Sequence, residues 1–257
     1  MIFSIVNQKG GVGKTTTAVN LADQLARSKK KTLLIDLDPQ GNATSSFGLD
    51  KNEQNLTIYD ALINQKSLTD IIIPNIRKNL DIIPANIDLA GAEIEMVSIV
   101  SRETILNSLI NEELKKEYDI ILIDCAPSLG LLTINALVAS DAIVVPIQAE
   151  YYALEGVTQL INTFNMIKES LNPNLVIFGI IITMFDTRTQ LSHQVAEEIN
   201  NYFDTYVFET VIPRNVRLSE APSYGIPIQE HDKWSKGARA YKALAKEFIQ
   251  RMDKDSV

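Results

Sequence analysis

Lys9-Gly10-Gly11-Val12-Gly13-Lys14-Thr15-Thr16 follows a β-branched and apolar run, Ile2 to Val6. After it, Val19, Leu21, Ala22, Leu25 and Ala26 recur at helical spacing. The order is strand, glycine loop, helix. Such a loop binds phosphate because glycines let consecutive backbone N–H groups point into one concavity, and the helix N-terminus adds partial positive charge there. Gly10, Gly11, Val12, Gly13 and Thr16 form the cradle, Lys14 reaches the β- and γ-phosphates, and Thr15 offers its hydroxyl to Mg²⁺. A glycine turn with no ligand is the competing reading, which the strand-loop-helix setting disfavours.

The ordinary phosphate-loop pattern has glycine five places before Gly13, where this chain has Gln8, and a second lysine, Lys9, follows. With that lysine, the stretch NQKGGVGKTTTAVNLA, residues 7–22, resembles the deviant Walker A motif of the ParA/Soj/MinD family of ATPases. The resemblance implies ATP and Mg²⁺ as cofactors and a homodimer in the ATP state. Lys9 and Gly10 would then lie at the dimer interface, with Lys9 reaching the partner's nucleotide.

Thr32 to Leu37 reads as a buried strand ending in Asp36-Leu37-Asp38-Pro39. Carboxylates at the C-terminal edge of a parallel strand lie where open α/β sheets bind ligands, although an Asp before Pro is equally a turn starter. LLIDLDPQGNAT, residues 33–44, resembles the family's second nucleotide motif, which implies that Asp38 orients the attacking water and Asp36 supports the metal from behind. Tyr118 to Asp124 is a nearly continuous apolar run, typical of a central parallel strand. Asp124 closes it, either as a loop-starting residue or as a carboxylate holding Mg²⁺ through water. DCAPSLG, residues 124–130, again resembles the family. Cys125 reads as a small packed residue.

Between these points, Tyr59, Leu62 and Ile63 predict a short helix and Leu80 to Ile83 a short strand. Two helical patterns over residues 88–116, the second through Ile105, Leu106, Leu109, Ile110 and Leu114, should cover one sheet face. Ala142 to Ile147 predicts a further strand, and the family resemblance puts a dimer contact after it, with Glu150 facing Lys9 of the other subunit. Tyr152 to Leu171 predicts a helix and Leu175 to Met184 a strand. That strand ends in Thr183-Met184-Phe185-Asp186. GTPases carry a lysine where Met184 stands, which disfavours guanine; the family resemblance implies adenine, packed beside Met184 by the loop Pro213, Arg214 and Asn215.

A chain of 257 residues without linker, repeat or low-complexity segment is expected to be one domain, residues 1–257, a doubly wound, mostly parallel α/β sheet with helices on both faces. Hydrophobic content is 46% without a run of membrane-spanning length. One cysteine excludes an intramolecular disulfide and fits a cytoplasmic setting. No signal segment or helix-turn-helix extension is expected ahead of the first strand. The net charge of −8 opposes simple nucleic-acid binding but does not describe clustering. Lys236, Arg239, Lys242 and Lys246 share one side of a C-terminal helix, and Tyr241, Leu244, Phe248 and Met252 the other. IPRNVRLSEAPSYGIPI, residues 212–228, resembles the chromosomal Soj-type branch, which implies that Arg188 and Arg217 bind DNA without sequence preference.

The family resemblance therefore implies a partitioning ATPase on the nucleoid, stimulated by a ParB-type activator. Two rivals stay open: a MinD-like ATPase whose basic C-terminal helix lies on membrane, disfavoured by the acidic tail from Asp253, and a metabolic enzyme of the cobyrinate or dethiobiotin synthase kind.

Overall fold

Alternation along the strands splits the interior into two cores. Ile2, Leu33, Ile35, Ile121, Ile123, Ile143 and Val145 point to one, and Phe3, Ile5, Leu34, Leu122 and Val144 to the other, as the period-2 geometry of a sheet covered on both faces requires. The computed structural model describes residues 1–150 and 153–255, the side chains of 153–156 and 255 excepted. Its strands are β1 (Ile2–Ile5), β2 (Thr32–Leu37), β3 (Ile73–Arg77), β4 (Leu80–Ile83), β5 (Ile120–Cys125), β6 (Ala142–Gln148) and β7 (Val176–Thr183). They form one sheet in the order β3-β4-β2-β5-β1-β6-β7, parallel except for the edge strand β3.

The helices are α1 (Lys14–Arg27), α2 (Asn42–Ser45), α3 (Ile58–Leu62), α4 (Leu68–Ile71), α5 (Leu89–Glu95), α6 (Ile105–Leu109), α7 (Glu112–Glu117), α8 (Leu131–Ala139), α9 (Ala153–Ser170), α10 (Gln190–Phe203), α11 (Val216–Glu220), α12 (Ile228–His231) and α13 (Lys236–Asp255). Helices α3 and α5 to α10 cover the first core, and α1 and α13 cover the second. The apolar side of α13 is consumed there: Tyr241, Leu244 and Phe248 are at most 1% exposed, and Phe248 meets Phe3 and Phe178 at ring centroid distances of 4.8 and 4.6 Å.

Two elements differ from the sequence reading. The helical pattern through Leu114 is broken after Leu109, because the Asn111 side chain accepts the N–H of Leu114 and starts α7 as a new helix. Strand β3 was hidden by Pro74 and by Asn75, whose φ of 55° interrupts the extended pattern. The helix expected from Tyr152 is described from Ala153; Tyr151 and Tyr152 lie outside the described residues.

Gly179 in β7 lies directly beneath the Phe208 ring, where any Cβ would collide. Gly179→Ala is expected to cost about 1–3 kcal/mol through overpacking, read as a lower midpoint in urea with an unchanged slope.

Candidate functional site

Parallel order brings the carboxyl ends of β1, β2 and β5 side by side, and the register pairs Asp36 with Asp124 and Ile5 with Asp124. The phosphate loop leaves β1 directly above them. Gly11 and Gly13 have φ of 75° and 88°, the left-handed region that lets the loop turn its amides inward. The loop is tied down from outside: Thr183 Oγ1 donates to the carbonyl of Val12 at 2.8 Å. Asn7 Oδ1 accepts the N–H of Lys9 at 3.0 Å, while Asn7 Nδ2 donates to the carbonyl of Pro146 at 2.7 Å.

Lys14 is 6% exposed, and its Nζ donates to the carbonyl of Lys9 at 3.0 Å, closing the loop on itself. Burial lowers its pKa, against the pull of Asp124 and Asp38. Asp124 is fully buried, and neither carboxylate oxygen meets a donor at hydrogen-bonding geometry. Burial and the neighbouring Asp36 push its pKa well up, with Thr15 and Lys14 opposing. Such an unsatisfied carboxylate beside a threonine hydroxyl suits a hard divalent cation. Thr15 and Asp124 therefore fit Mg²⁺. Among the described residues no group of three His, Cys, Asp or Glu side chains could hold a metal.

Asp36 is differently placed. It accepts both the N–H and the hydroxyl of Thr44, at 2.8 and 2.7 Å, and the N–H of Asp38 at 3.3 Å, so it shapes the turn that carries Asp38. Burial raises its pKa to about 6. Asp38 Oδ1 accepts the N–H of Gln40 at 2.9 Å, and Asp38 lines a cavity of about 290 Å³ with Gly10, Gly11, Lys14, Thr15 and Pro127. Burial also pushes the Cys125 thiol up, which matches a packed, inert role.

Crowding of Asp36, Asp38 and Asp124 sets a stability prediction. Asp124→Asn should relieve ~1–2 kcal/mol of repulsion in the nucleotide-free protein, about 2–8 °C in thermal midpoint, and lose the extra midpoint that Mg²⁺ adds to ATP. Carboxyls whose folded pKa lies above the unfolded one contribute stability below the unfolded value and lose it as pH rises through the folded one. The variant's gain should therefore be larger at pH 8 than at pH 5.

A second cavity, of about 340 Å³, adjoins the first and shares Gly13, Thr16 and Met184 with it. Its walls include Thr183, Ile212, Pro213, Arg214, Asn215 and Tyr241, so Met184, Pro213, Arg214 and Asn215 come together as expected. Met184 turns there with φ of 52°. Asn215 Oδ1 is buried without a partner. Asp186 is taken up by Arg188, whose Nε and Nη2 reach its two oxygens at 2.9 and 2.7 Å, and these bonds hold its carboxyl well below the usual range.

The basic residues separate into two kinds. Arg188 is paired with Asp186, and Arg217 with Glu220 at 2.8 Å and Asp232 at 3.7 Å. Lys236, Arg239, Lys242 and Lys246 are exposed along α13, and none has a carboxylate within 4.0 Å among the described residues. Helix α11, which carries Arg217, packs on the start of α13 where Gly237 meets Leu218. Within the single chain, Lys9 Nζ lies 3.8 Å from Glu150, which also reaches Arg214 at 3.5 Å. Sequence reasoning missed Asn7, Thr183 and Tyr241, the last joined to Thr17 of α1 at 3.1 Å. Only Thr183 carried a signal, as the first residue of the stretch read for base choice.

Comparison with known proteins agrees with this geometry. Residues 1–177 match the family model described as an AAA domain. The sporulation initiation inhibitor protein Soj of Bacillus subtilis is 56% identical over 246 residues, covering 96% of this chain and 97% of that protein. The chromosome partitioning protein ParA of Myxococcus xanthus is 51% identical over 250 residues, covering 97% and 88%. Among solved structures, a cobyrinic acid a,c-diamide synthase from Mycobacterium smegmatis with bound ADP and magnesium superposes with a TM-score of 0.85 at 32% identity, covering 98% and 95%. Identity of this level over nearly the full length, on a sheet whose strand ends gather a phosphate loop and three aspartates, means that the chain belongs to the Soj/ParA family of chromosome-partitioning ATPases.

Proposed function

We propose that the chain is a Mg²⁺-dependent ATPase of chromosome or plasmid partitioning, which dimerises around ATP, rides on nucleoid DNA without sequence preference in the cytoplasm, and is released when a ParB-type activator stimulates hydrolysis. The observation that carries the enzymatic part is Asp124, buried and unpartnered beneath Thr15 and Lys14. The loop amides of residues 10–16 and the Lys14 ammonium neutralise the β- and γ-phosphates, and Asp38 holds the attacking water through its remaining oxygen. Thr15 and Asp124 would hold Mg²⁺, which would supply charge neutralisation at the phosphates. Catalysis here is positioning and charge stabilisation. Asn215 offers an acceptor that suits the amino group of adenine, and Asp186, bound to Arg188, is not free to read guanine.

Lys9 links nucleotide to assembly. Its long contact with Glu150 is weak by surface standards, and leaving it for a partner's phosphate favours the dimer only while that phosphate is present. The unpaired cations of α13, with Arg217 at its start, form the surface for DNA phosphates; contact there is weak, salt-dependent and blind to sequence. Arg217 must give up Glu220 and Asp232 to take part. The membrane alternative loses its main element, because the apolar side of α13 is packed in the core. The test is steady-state phosphate release. ATP hydrolysis that exceeds GTP hydrolysis and rises on adding duplex DNA with a ParB-type protein supports the proposal; turnover indifferent to both additions supports a metabolic enzyme.

A further inference from the structure

The nucleotide site leaves one exposed surface unexplained. Ile94 on α5, Val97 on the 3-10 turn Met96–Ser98 that extends it, and Ile87 and Val100 on either side of the two are 78%, 60%, 67% and 90% exposed. The other side of the same segment, Leu89, Ala92 and Met96, is buried. Large aliphatic side chains gathered in one stretch of surface mark a docking site. Its surroundings choose the occupant. Asp88, Glu93 and Glu95 have no cation within 4.0 Å among the described residues, being bonded to Asn86, to the N–H of Leu132 and to Tyr59. The nearby Arg102 is spent on Glu103 and on the carbonyl of Val97. An apolar surface set among free carboxylates repels DNA and anionic lipid and attracts a cationic, apolar-faced protein segment.

The surface is also wired to the nucleotide site. Glu93 Oε1 accepts the N–H of Leu132 at 3.2 Å, in the first turn of α8, and its carboxylate lies against Gly130, where a Cβ would collide with it. Gly130 ends the loop that follows Cys125 at the end of β5. One carboxylate thus joins α5 to the segment behind the strand end that carries Asp124.

We propose that the α5 surface docks a basic segment with an apolar face from the activator protein, and that Glu93 carries this contact to the loop behind Asp124. This rests on the reading of the chain as an activator-stimulated ATPase. The test uses the full chain, ATP, Mg²⁺, duplex DNA and the purified ParB-type protein of the same organism. Val97→Lys combined with Val100→Lys, both solvent-facing, should keep basal hydrolysis and ATP-dependent dimerisation while raising the activator concentration for half-maximal stimulation by at least about tenfold. Glu93→Ala, which removes the acceptor for Leu132, should keep that concentration and lower the maximal stimulation. Stimulation of the double variant equal to wild type overturns the docking site, as does loss of its ATP-dependent dimer, which would make the surface a contact between copies. Unchanged maximal stimulation in Glu93→Ala overturns the coupling. A wild-type chain that the activator does not stimulate at all fails at the earlier step, the functional reading itself.

Discussion

Asp38→Ala is expected to lower ATP turnover by about 100- to 1,000-fold while leaving ATP affinity within about threefold. Asp38 lines the phosphate cavity and is 6% exposed, but it makes no contact with the loop amides that grip the phosphates. One of its oxygens is fixed by the N–H of Gln40, and Asp36 fixes its backbone, so the other oxygen is held in one direction. A group so placed acts on the water rather than on binding. Single-turnover phosphate release, paired with equilibrium binding of ATP, separates the two effects. Turnover within a few-fold of wild type would move the water-orienting role elsewhere.

The second large effect belongs to Lys9. Lys9→Ala is expected to weaken ATP-dependent dimerisation by at least about 30-fold, the equivalent of ~2 kcal/mol for a desolvated charge contact across an interface. The lysine side chain is 37% exposed in the single chain, and its contact with Glu150 is 3.8 Å long, so little holds it back. Lys14, not Lys9, is buried against the loop; ATP binding by the single chain should therefore change much less. Sedimentation with ATP and with ADP reads the difference. Glu150→Ala should not weaken the dimer, because Glu150 holds Lys9 and Arg214 within the resting chain. A dimer that forms equally well without Lys9 contradicts the switch.

What the chain displays in its sequence follows from how local each feature is. The phosphate loop, Asp38 and Asp124 each sit at the end of a short β-branched run, so strand ends and ligand-facing residues are visible together; the parallel sheet follows from those runs and the helices between them. The sheet position of β3 was not visible, because Pro74 and the left-handed Asn75 mask an edge strand. The contacts that hold the loop join residues far apart in sequence, Thr183 to Val12 and Asn7 to Pro146, and no periodicity announces them. The pairing of Arg217 with Glu220 and Asp232 was within reach of helical spacing for the first and not for the second. The family resemblance puts Glu150 opposite Lys9 of another subunit; that the two also approach within 3.8 Å inside one chain is visible only in the fold.

The central claim is that ATP turns this acidic chain into a DNA-binding dimer, and retention on a non-specific duplex tests it most directly. The measurement compares ATP, ADP and no nucleotide at low and moderate salt, for wild type and Arg217→Ala. The account predicts binding with ATP alone, weakened steeply by salt and further by loss of Arg217. Equal binding in all three nucleotide states, or none in any, would contradict it.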